Sequence, residues 1–123
     1  MSRILVIEND QDVRDSVSLF LECAGYSVVE GANYQEGFQN LHGDTASAMI
    51  ADIGTLAHDG QISIQHIRQQ VSRFPIIALS GTMSHAQTGG NPIPLGLQPT
   101  CTLQKPFTVD ELLETIQRAL LHT

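Results

Sequence analysis

Residues 4–10 read ILVIEND, an apolar run that ends abruptly in three polar side chains. The first four residues are all large and aliphatic, with no polar residue alternating between them. A run of this kind predicts a strand that is covered on both faces, as in a parallel sheet. Glu8, Asn9 and Asp10 follow at its carboxyl end, and this is the edge at which such sheets bind ligands.

Further apolar runs alternate with helical patterns along the rest of the chain. Four more strands are predicted over residues 27–29, 48–53, 76–79 and 100–103. Helices are predicted over residues 12–24, 34–41 and 62–71, with a last helix that begins at a T-x-x-E capping box formed by Thr108 and Glu111. Because helices fall between the strands, the order predicts an α/β fold with a doubly wound, five-stranded parallel sheet.

The helical spacing also predicts which side chains point toward the sheet. For the first helix these are Val13, Val17, Phe20, Leu21 and Ala24, and Gly25 ends the helix; for the last they are Leu112, Leu113, Ile116, Leu120 and Leu121. Phe38 and Leu41 are expected to point inward from the helix between them. The two cysteines, Cys23 and Cys101, have no metal-ligand spacing and are expected to be small buried hydrophobic residues.

Residues 81–99 interrupt this regular order. Glycine and proline crowd the segment, at Gly81, Gly89, Gly90, Pro92, Pro94, Gly96 and Pro99, and helical periodicity is nearly absent. Pro92 and Pro94 stand two residues apart, and two prolines this close together break a helix. The region of the expected fourth helix is therefore predicted to be irregular.

Composition narrows the classes of function. The 123 residues suit one domain, residues 1–123, and 41% hydrophobic with 15% charged residues is typical of a compact globule. The formal charge is −7 and only six residues are basic, so nucleic acid is not expected as a direct partner. Neither a membrane-spanning run nor a secretion signal is apparent, which favours a cytoplasmic location.

Acids, a hydroxyl and a lysine follow the predicted strands. Glu8 and Asn9 come after the first strand, Asp52 ends the third, Ser80 follows the fourth, and Lys105, the sole lysine, follows the fifth. Since the carboxyl ends of parallel strands share one edge, these groups are expected to converge there. Oxygen ligands of this kind suit Mg²⁺, while a lysine and a hydroxyl suit phosphoryl oxygens.

The segments ILVIEND, MIADIGTLAHDG (49–60), IIALSGT (76–82) and LQKPF (103–107) together resemble the signature stretches of response-regulator receiver domains. The resemblance covers the whole chain and implies a flavodoxin-like strand order, 2-1-3-4-5. It also implies a cis peptide bond between Lys105 and Pro106. The chain is then a stand-alone receiver or the N-terminal part of a longer regulator.

The same resemblance implies a phosphorelay role in two-component signal transduction. Asp52 matches the aspartate that accepts a phosphoryl group from a histidine kinase or a phosphotransfer protein. Ser80 and Lys105 match the residues that hold that group. Glu8, Asn9, Asp52 and the backbone carbonyl of Gly54 match the positions that hold Mg²⁺. The implied activity is limited to self-phosphorylation and autodephosphorylation. The further partners that the resemblance implies are an unidentified effector or output domain and, in a homodimer, a second copy of the chain.

The sequence departs from the family pattern at three places. Asn9 stands where the family usually has aspartate, and a neutral amide predicts weak Mg²⁺ binding. Asp10 either turns toward this site, or it faces solvent or begins the helix. Thr102 stands where the family has an aromatic switch residue, and the irregular 81–99 segment alters the same signalling surface.

Two other functions fit parts of the sequence. A pseudo-receiver would use the same fold as a protein-interaction module without phosphorylation, which Asn9 and Thr102 favour. A small enzyme or flavin carrier of the same fold is disfavoured, because Glu-Asn-Asp follows the first strand where a glycine-rich phosphate loop would be needed.

Overall fold

The computed structural model describes residues 2–54, 75–81 and 100–121. The described strands are β1 (Arg3–Ile7), β2 (Ser27–Gly31), β3 (Ala48–Asp52), β4 (Ile76–Ser80) and β5 (Cys101–Gln104), and the described helices are α1 (Gln11–Cys23), α2 (Tyr34–Leu41) and α3 (Val109–Leu121). All strand pairs are parallel and the order is β2-β1-β3-β4-β5, which confirms the predicted fold. The predicted helix over residues 62–71 and the irregular segment beyond Gly81 lie outside the described residues.

Alternate residues of the central strands enter two different cores. Ile4, Val6 and Ile50 pack against α1 and α3, whereas Leu5 and Met49 pack on the other face, against α2. This is the period of two expected for a strand, applied to a sheet that is buried on both sides. Both faces of the sheet therefore carry a core, and in β1, β3 and β4 the polar residues are confined to the strand ends.

Helix starts follow the local signals in the sequence. The Asp10 carboxylate accepts hydrogen bonds from the backbone N–H groups of Asp12 (2.9 Å) and Val13 (3.3 Å), so Asp10 caps α1. At α3, the Thr108 hydroxyl accepts from the Glu111 N–H (3.1 Å) and the Glu111 carboxylate accepts from the Thr108 N–H (2.9 Å). The predicted capping box is thus confirmed in both directions.

The sequence predictions of burial are less accurate at the ends of the helices. Gly25 ends α1 with φ of 98°, as predicted, but Ala24 and Cys23 are exposed rather than buried. At the end of α3, Leu121 is 84% exposed, although the spacing placed it on the apolar face. Other residues of the same last turns, Leu21 and Ala119, are fully buried, so the periodicity fails only at the final residues of each helix.

Gly31 and Gly37 bring the end of β2 close to α2. A Cβ on Gly31 would overlap the backbone N and Cα of Gly37 and lie 2.9 Å from the Asn33 carbonyl. A Cβ on Gly37 would instead meet the side chains of Ile7 and Leu5 at 3.2–3.4 Å. The first clash involves backbone that cannot move aside, whereas the second involves side-chain ends that can.

Gly31→Ala is therefore expected to lower the free energy of unfolding by about 3 kcal/mol, the upper part of the range for overpacking. Gly37→Ala is the matched control. Its strain is offset by the greater helix propensity of alanine, about 1 kcal/mol, so little net change is expected. Urea denaturation followed by circular dichroism measures both, and equal stabilities of the two variants would contradict the backbone clash.

Candidate functional site

Three charged side chains meet at the carboxyl edge of the sheet. Lys105 Nζ lies 2.7 Å from Glu8 Oε2 and 2.8 Å from Asp52 Oδ1. The side chains of Glu8, Asp52 and Lys105 are 3%, 14% and 20% exposed, so the cluster is mostly shielded from water. The lysine thus forms a bridge between two carboxylates.

Strand register explains why these residues meet. Ile7 pairs with Ala51 across β1 and β3, so the next residues along each strand, Glu8 and Asp52, lie side by side. Lys105 follows β5, and its N–H donates to the Ser80 carbonyl at 3.0 Å. From there the long lysine side chain reaches past the end of β4 to the two acids.

The charge on Lys105 is favoured by its partners. Burial acts to lower its pKa, but hydrogen bonds to Asp52 and Glu8 and the negative charges of both outweigh burial, so the pKa lies above the ordinary 10.5. A pKa raised on folding means that the pairing stabilises the fold below pH 10.5. That stabilisation is lost as the pH rises through the raised pKa.

Both carboxylate oxygens of Glu8 accept hydrogen bonds. Oε2 accepts from Lys105, and Oε1 accepts from the backbone N–H of Asp10 at 3.1 Å. Asp10 itself caps α1, so of the two roles considered for it the structure shows the helix start. The β1–α1 turn is therefore fixed from within, with Asn9 exposed between the two acids.

Residues 4–117 match the family described as response regulator receiver domain. The chain belongs to this family. FixJ of Bradyrhizobium diazoefficiens, a transcriptional regulatory protein, is 28% identical over 122 residues, which are 95% of this chain and 56% of FixJ. DctD of Rhizobium meliloti, a C4-dicarboxylate transport transcriptional regulatory protein, is 28% identical over 121 residues, which are 94% of this chain and 25% of DctD.

The chain thus spans between a quarter and about half of the length of these curated relatives. Among solved structures, the chemotaxis response regulator CheY4 of Vibrio cholerae is 26% identical with a TM-score of 0.78, over 97% of this chain and 98% of that one. A putative response regulator from Chloroflexus aurantiacus is 26% identical with a TM-score of 0.77, over 98% of each chain.

The other predicted site residues of this receiver domain lie at the same edge. Ser80 ends β4 and is half-buried, while Gly54 follows β3 by two residues. The peptide bond between Lys105 and Pro106 is cis, as the resemblance implied. Thr102 is exposed on β5, so the position expected to hold an aromatic switch carries a small polar side chain.

The oxygen donors available to a divalent cation are few. In residues 2–54, 75–81 and 100–121, no group of three or more His, Cys, Asp or Glu side chains comes together in a way that could hold a metal ion. The donors that the sequence predicts for Mg²⁺ are all oxygens, which is the right kind for this hard cation. Their charge is low because Asn9 is neutral and Glu8 already pairs with Lys105.

An apolar pocket of about 450 Å³ opens beside Lys105. Side chains of α1 and of the loop after β5 line it: Asp12, Val13, Ser16, Val17 and Phe20 from the helix, and Lys105, Pro106 and Phe107 from the loop. The pocket places an apolar surface directly next to the charged cluster.

Sequence reasoning missed one residue near the site. Arg14 in α1 donates from Nη1 to the Glu8 carbonyl at 2.7 Å, and its Nε lies 3.4 Å from Glu30 Oε1 in β2. Arg14 stands among the acids of α1, at Asp12, Asp15 and Glu22, and that spacing does not point to Glu8 or Glu30.

None of the helices among the described residues has the length and apolar character that a membrane span requires.

Lys105→Met is expected to destabilise the fold by about 2 kcal/mol at neutral pH, between the values for exposed and for fully buried ion pairs. The reason is that two shielded carboxylates lose their shared cation. Arg3→Met is the matched control, because Arg3 pairs with Asp44 at 3.1 Å with side chains 39% and 67% exposed. The control is expected to cost about 0.5 kcal/mol or less. Urea denaturation measures the loss in free energy of unfolding for both variants. Equal losses would show that the Lys105 bridge is no stronger than a surface ion pair.

Proposed function

We propose that this receiver domain accepts a phosphoryl group on Asp52 from a histidine kinase or a phosphotransfer protein and thereby changes its affinity for a downstream partner. The observation that carries the proposal is the position of the Lys105 ammonium, 2.8 Å from the Asp52 carboxylate at the carboxyl edge of the sheet. A cation held beside a carboxylate at this edge suits a reaction that brings an anionic group to that carboxylate.

The proposed step transfers one phosphoryl group. A carboxylate oxygen of Asp52 attacks the phosphorus of a phosphohistidine, the new O–P bond forms, and the P–N bond breaks. Its electron pair returns to the imidazole nitrogen, so the products are an acyl phosphate and a free histidine. Lys105 offsets the added negative charge, and the hydroxyl of Ser80 donates a hydrogen bond to a phosphoryl oxygen.

Glu8, Asn9, Asp52 and the backbone carbonyl of Gly54 would hold Mg²⁺ in this proposal. When bound, the metal would neutralise negative charge on the phosphoryl oxygens. The all-oxygen donor set fits the cation in kind, and the neutral amide of Asn9 supports weak binding.

Asn9→Asp is expected to tighten Mg²⁺ binding about tenfold, because a second negative charge next to Glu8 strengthens the attraction for a divalent cation. The protein has no tryptophan, so calorimetry or NMR titration is the suitable measurement. Gln11→Asp is the matched control, as it adds the same charge two residues away on the exposed first turn of α1. The same gain in both variants would attribute the effect to net charge and would contradict a site at Asn9.

Phosphorylation is tested by incubation with acetyl phosphate and Mg²⁺, followed by intact-mass measurement. The wild-type chain is expected to gain the mass of one phosphoryl group, and Asp52→Asn is expected to gain none. Asp44→Asn is the control, since Asp44 is exposed and pairs with Arg3. No added mass in the wild type, or the same added mass in Asp52→Asn, would reject Asp52 as the acceptor.

The second candidate function is a pseudo-receiver that binds a partner without phosphorylation. Two observations favour it: Asn9 lowers the charge available to a metal, and Thr102 supplies no aromatic ring on β5. If millimolar Mg²⁺ leaves the NMR signals of Glu8, Asn9 and Asp52 unmoved, the pseudo-receiver is the better account.

The proposed partners follow from the family and the site. FixJ and DctD are transcriptional regulators longer than this chain, so an effector or output domain is proposed for it. A cytoplasmic location is proposed from the family match alone. The apolar pocket beside Lys105 is a surface that a phosphodonor protein would cover. A homodimer is a further proposal, to be tested by sedimentation with and without phosphodonor.

A further inference from the structure

Arg14 links three parts of the protein at the edge of the sheet. It lies in α1 with its side chain only 15% exposed. Nη1 donates to the main-chain carbonyl of Glu8 at 2.7 Å, and Nε lies 3.4 Å from the carboxylate of Glu30 in β2. The guanidinium thus connects the residue that follows β1 to its own helix and to the neighbouring strand.

The main chain of Glu8 is held from two sides, in addition to the contacts of its carboxylate. Its N–H donates to the Gly31 carbonyl at 3.1 Å, and its own carbonyl accepts from Arg14. The main chain at Glu30 is held as well, since its carbonyl accepts from the Asn40 side-chain amide at 2.7 Å. Both residues that Arg14 contacts therefore have main-chain hydrogen bonds of their own.

We propose that Arg14 is a positioning residue for the phosphoacceptor site, a role that rests on the function proposed above. It fixes the main chain of Glu8, so that the Glu8 carboxylate meets Lys105, and Lys105 in turn contacts Asp52. Arg14 touches none of the reacting atoms. Hydrogen bonds from a charged donor are about twice as strong as neutral ones, which suits a contact that must hold one residue in one orientation.

The role requires arginine rather than any cation. Two different nitrogens of the guanidinium are engaged at once, one by the Glu8 carbonyl and one by the Glu30 carboxylate. The planar fork of arginine holds both directions together, whereas the ammonium of lysine is a point charge on a flexible chain. Lysine at this position is therefore expected to restore the charge but only part of the positioning.

The test compares Arg14→Met, Arg14→Lys and Glu30→Gln in the full chain. Two readouts are used: the NMR shifts of the Glu8 carboxyl carbon and the Lys105 ammonium nitrogen without metal, and the rate of Asp52 phosphorylation by acetyl phosphate with Mg²⁺. Arg14→Met is expected to move both NMR signals and to slow phosphorylation about tenfold, which is less than the roughly hundredfold loss that a misplacement by about 1 Å can cause. Arg14→Lys and Glu30→Gln are expected to give smaller changes in the same direction.

A double variant separates positioning from general destabilisation. If Glu30 acts on the site only through Arg14, adding Glu30→Gln to Arg14→Met causes no further loss. Arg3→Met is the control, because it breaks an ion pair at the opposite end of β1 and is expected to leave both NMR signals in place. Unmoved Glu8 and Lys105 signals in folded Arg14→Met would overturn the proposal.

The design also distinguishes this proposal from the one on which it rests. If wild-type protein takes up no phosphoryl group, the proposed function fails, and the NMR shifts alone decide whether Arg14 positions Glu8. If Arg14→Met does not fold, Glu30→Gln decides by the same readouts, since it removes the anchor and keeps the arginine. Unchanged shifts and rate in Glu30→Gln would then overturn the role.

Discussion

The ammonium of Lys105, held between the carboxylates of Glu8 and Asp52, is the interaction on which the edge of this sheet depends. Glu8 is almost fully buried, and a carboxylate at such depth costs several kcal/mol unless a cation and hydrogen bonds compensate it. Lys105 is the only lysine in the chain, and it serves both acids. The same contact therefore stabilises the fold and sets the charge at the site.

The parallel sheet makes this contact possible. Neighbouring strands β1 and β3 run in register, so that their first residues beyond the apolar core are both acids. β4 separates them from β5, and the distance is spanned by the long, flexible side chain of Lys105. Because both faces of the central strands are packed with aliphatic residues, the polar groups of β1, β3 and β4 gather at the strand ends.

The strands and helix ends that the sequence predicted correctly are those with a signal in the local sequence. Apolar runs located the described strands to within two residues, and the capping signals at Thr108 and Gly25 located a helix start and a helix end. Strand ends were less accurate, since β2 extends to Gly31 through pairing with β1, which no local pattern contains. The strand order came from the resemblance to receiver domains, because periodicity alone does not order strands.

The candidate site was predicted as a set of residues but not as a set of contacts. Glu8 was expected as a metal ligand, yet in the structure both of its oxygens are engaged by Lys105 and by the Asp10 N–H. Arg14 was missed because its partners are a main-chain carbonyl and an acid on another strand. Such contacts depend on the tertiary fold, and no spacing along the chain encodes them.

The residue at position 9 decides the net charge of the site. Glu8, Asp52 and Lys105 together carry a net charge of −1, from two negative groups and one positive group, and Asn9 adds none. An aspartate at residue 9 would double that negative charge, which attracts a divalent cation and repels a phosphoryl donor. The neutral amide weakens both effects together, so in the proposed phosphoryl transfer the ammonium of Lys105 would supply a larger share of the positive charge that meets the incoming group. The placement of Glu8, which orients that ammonium, then matters more than in a site where a tightly bound metal dominates.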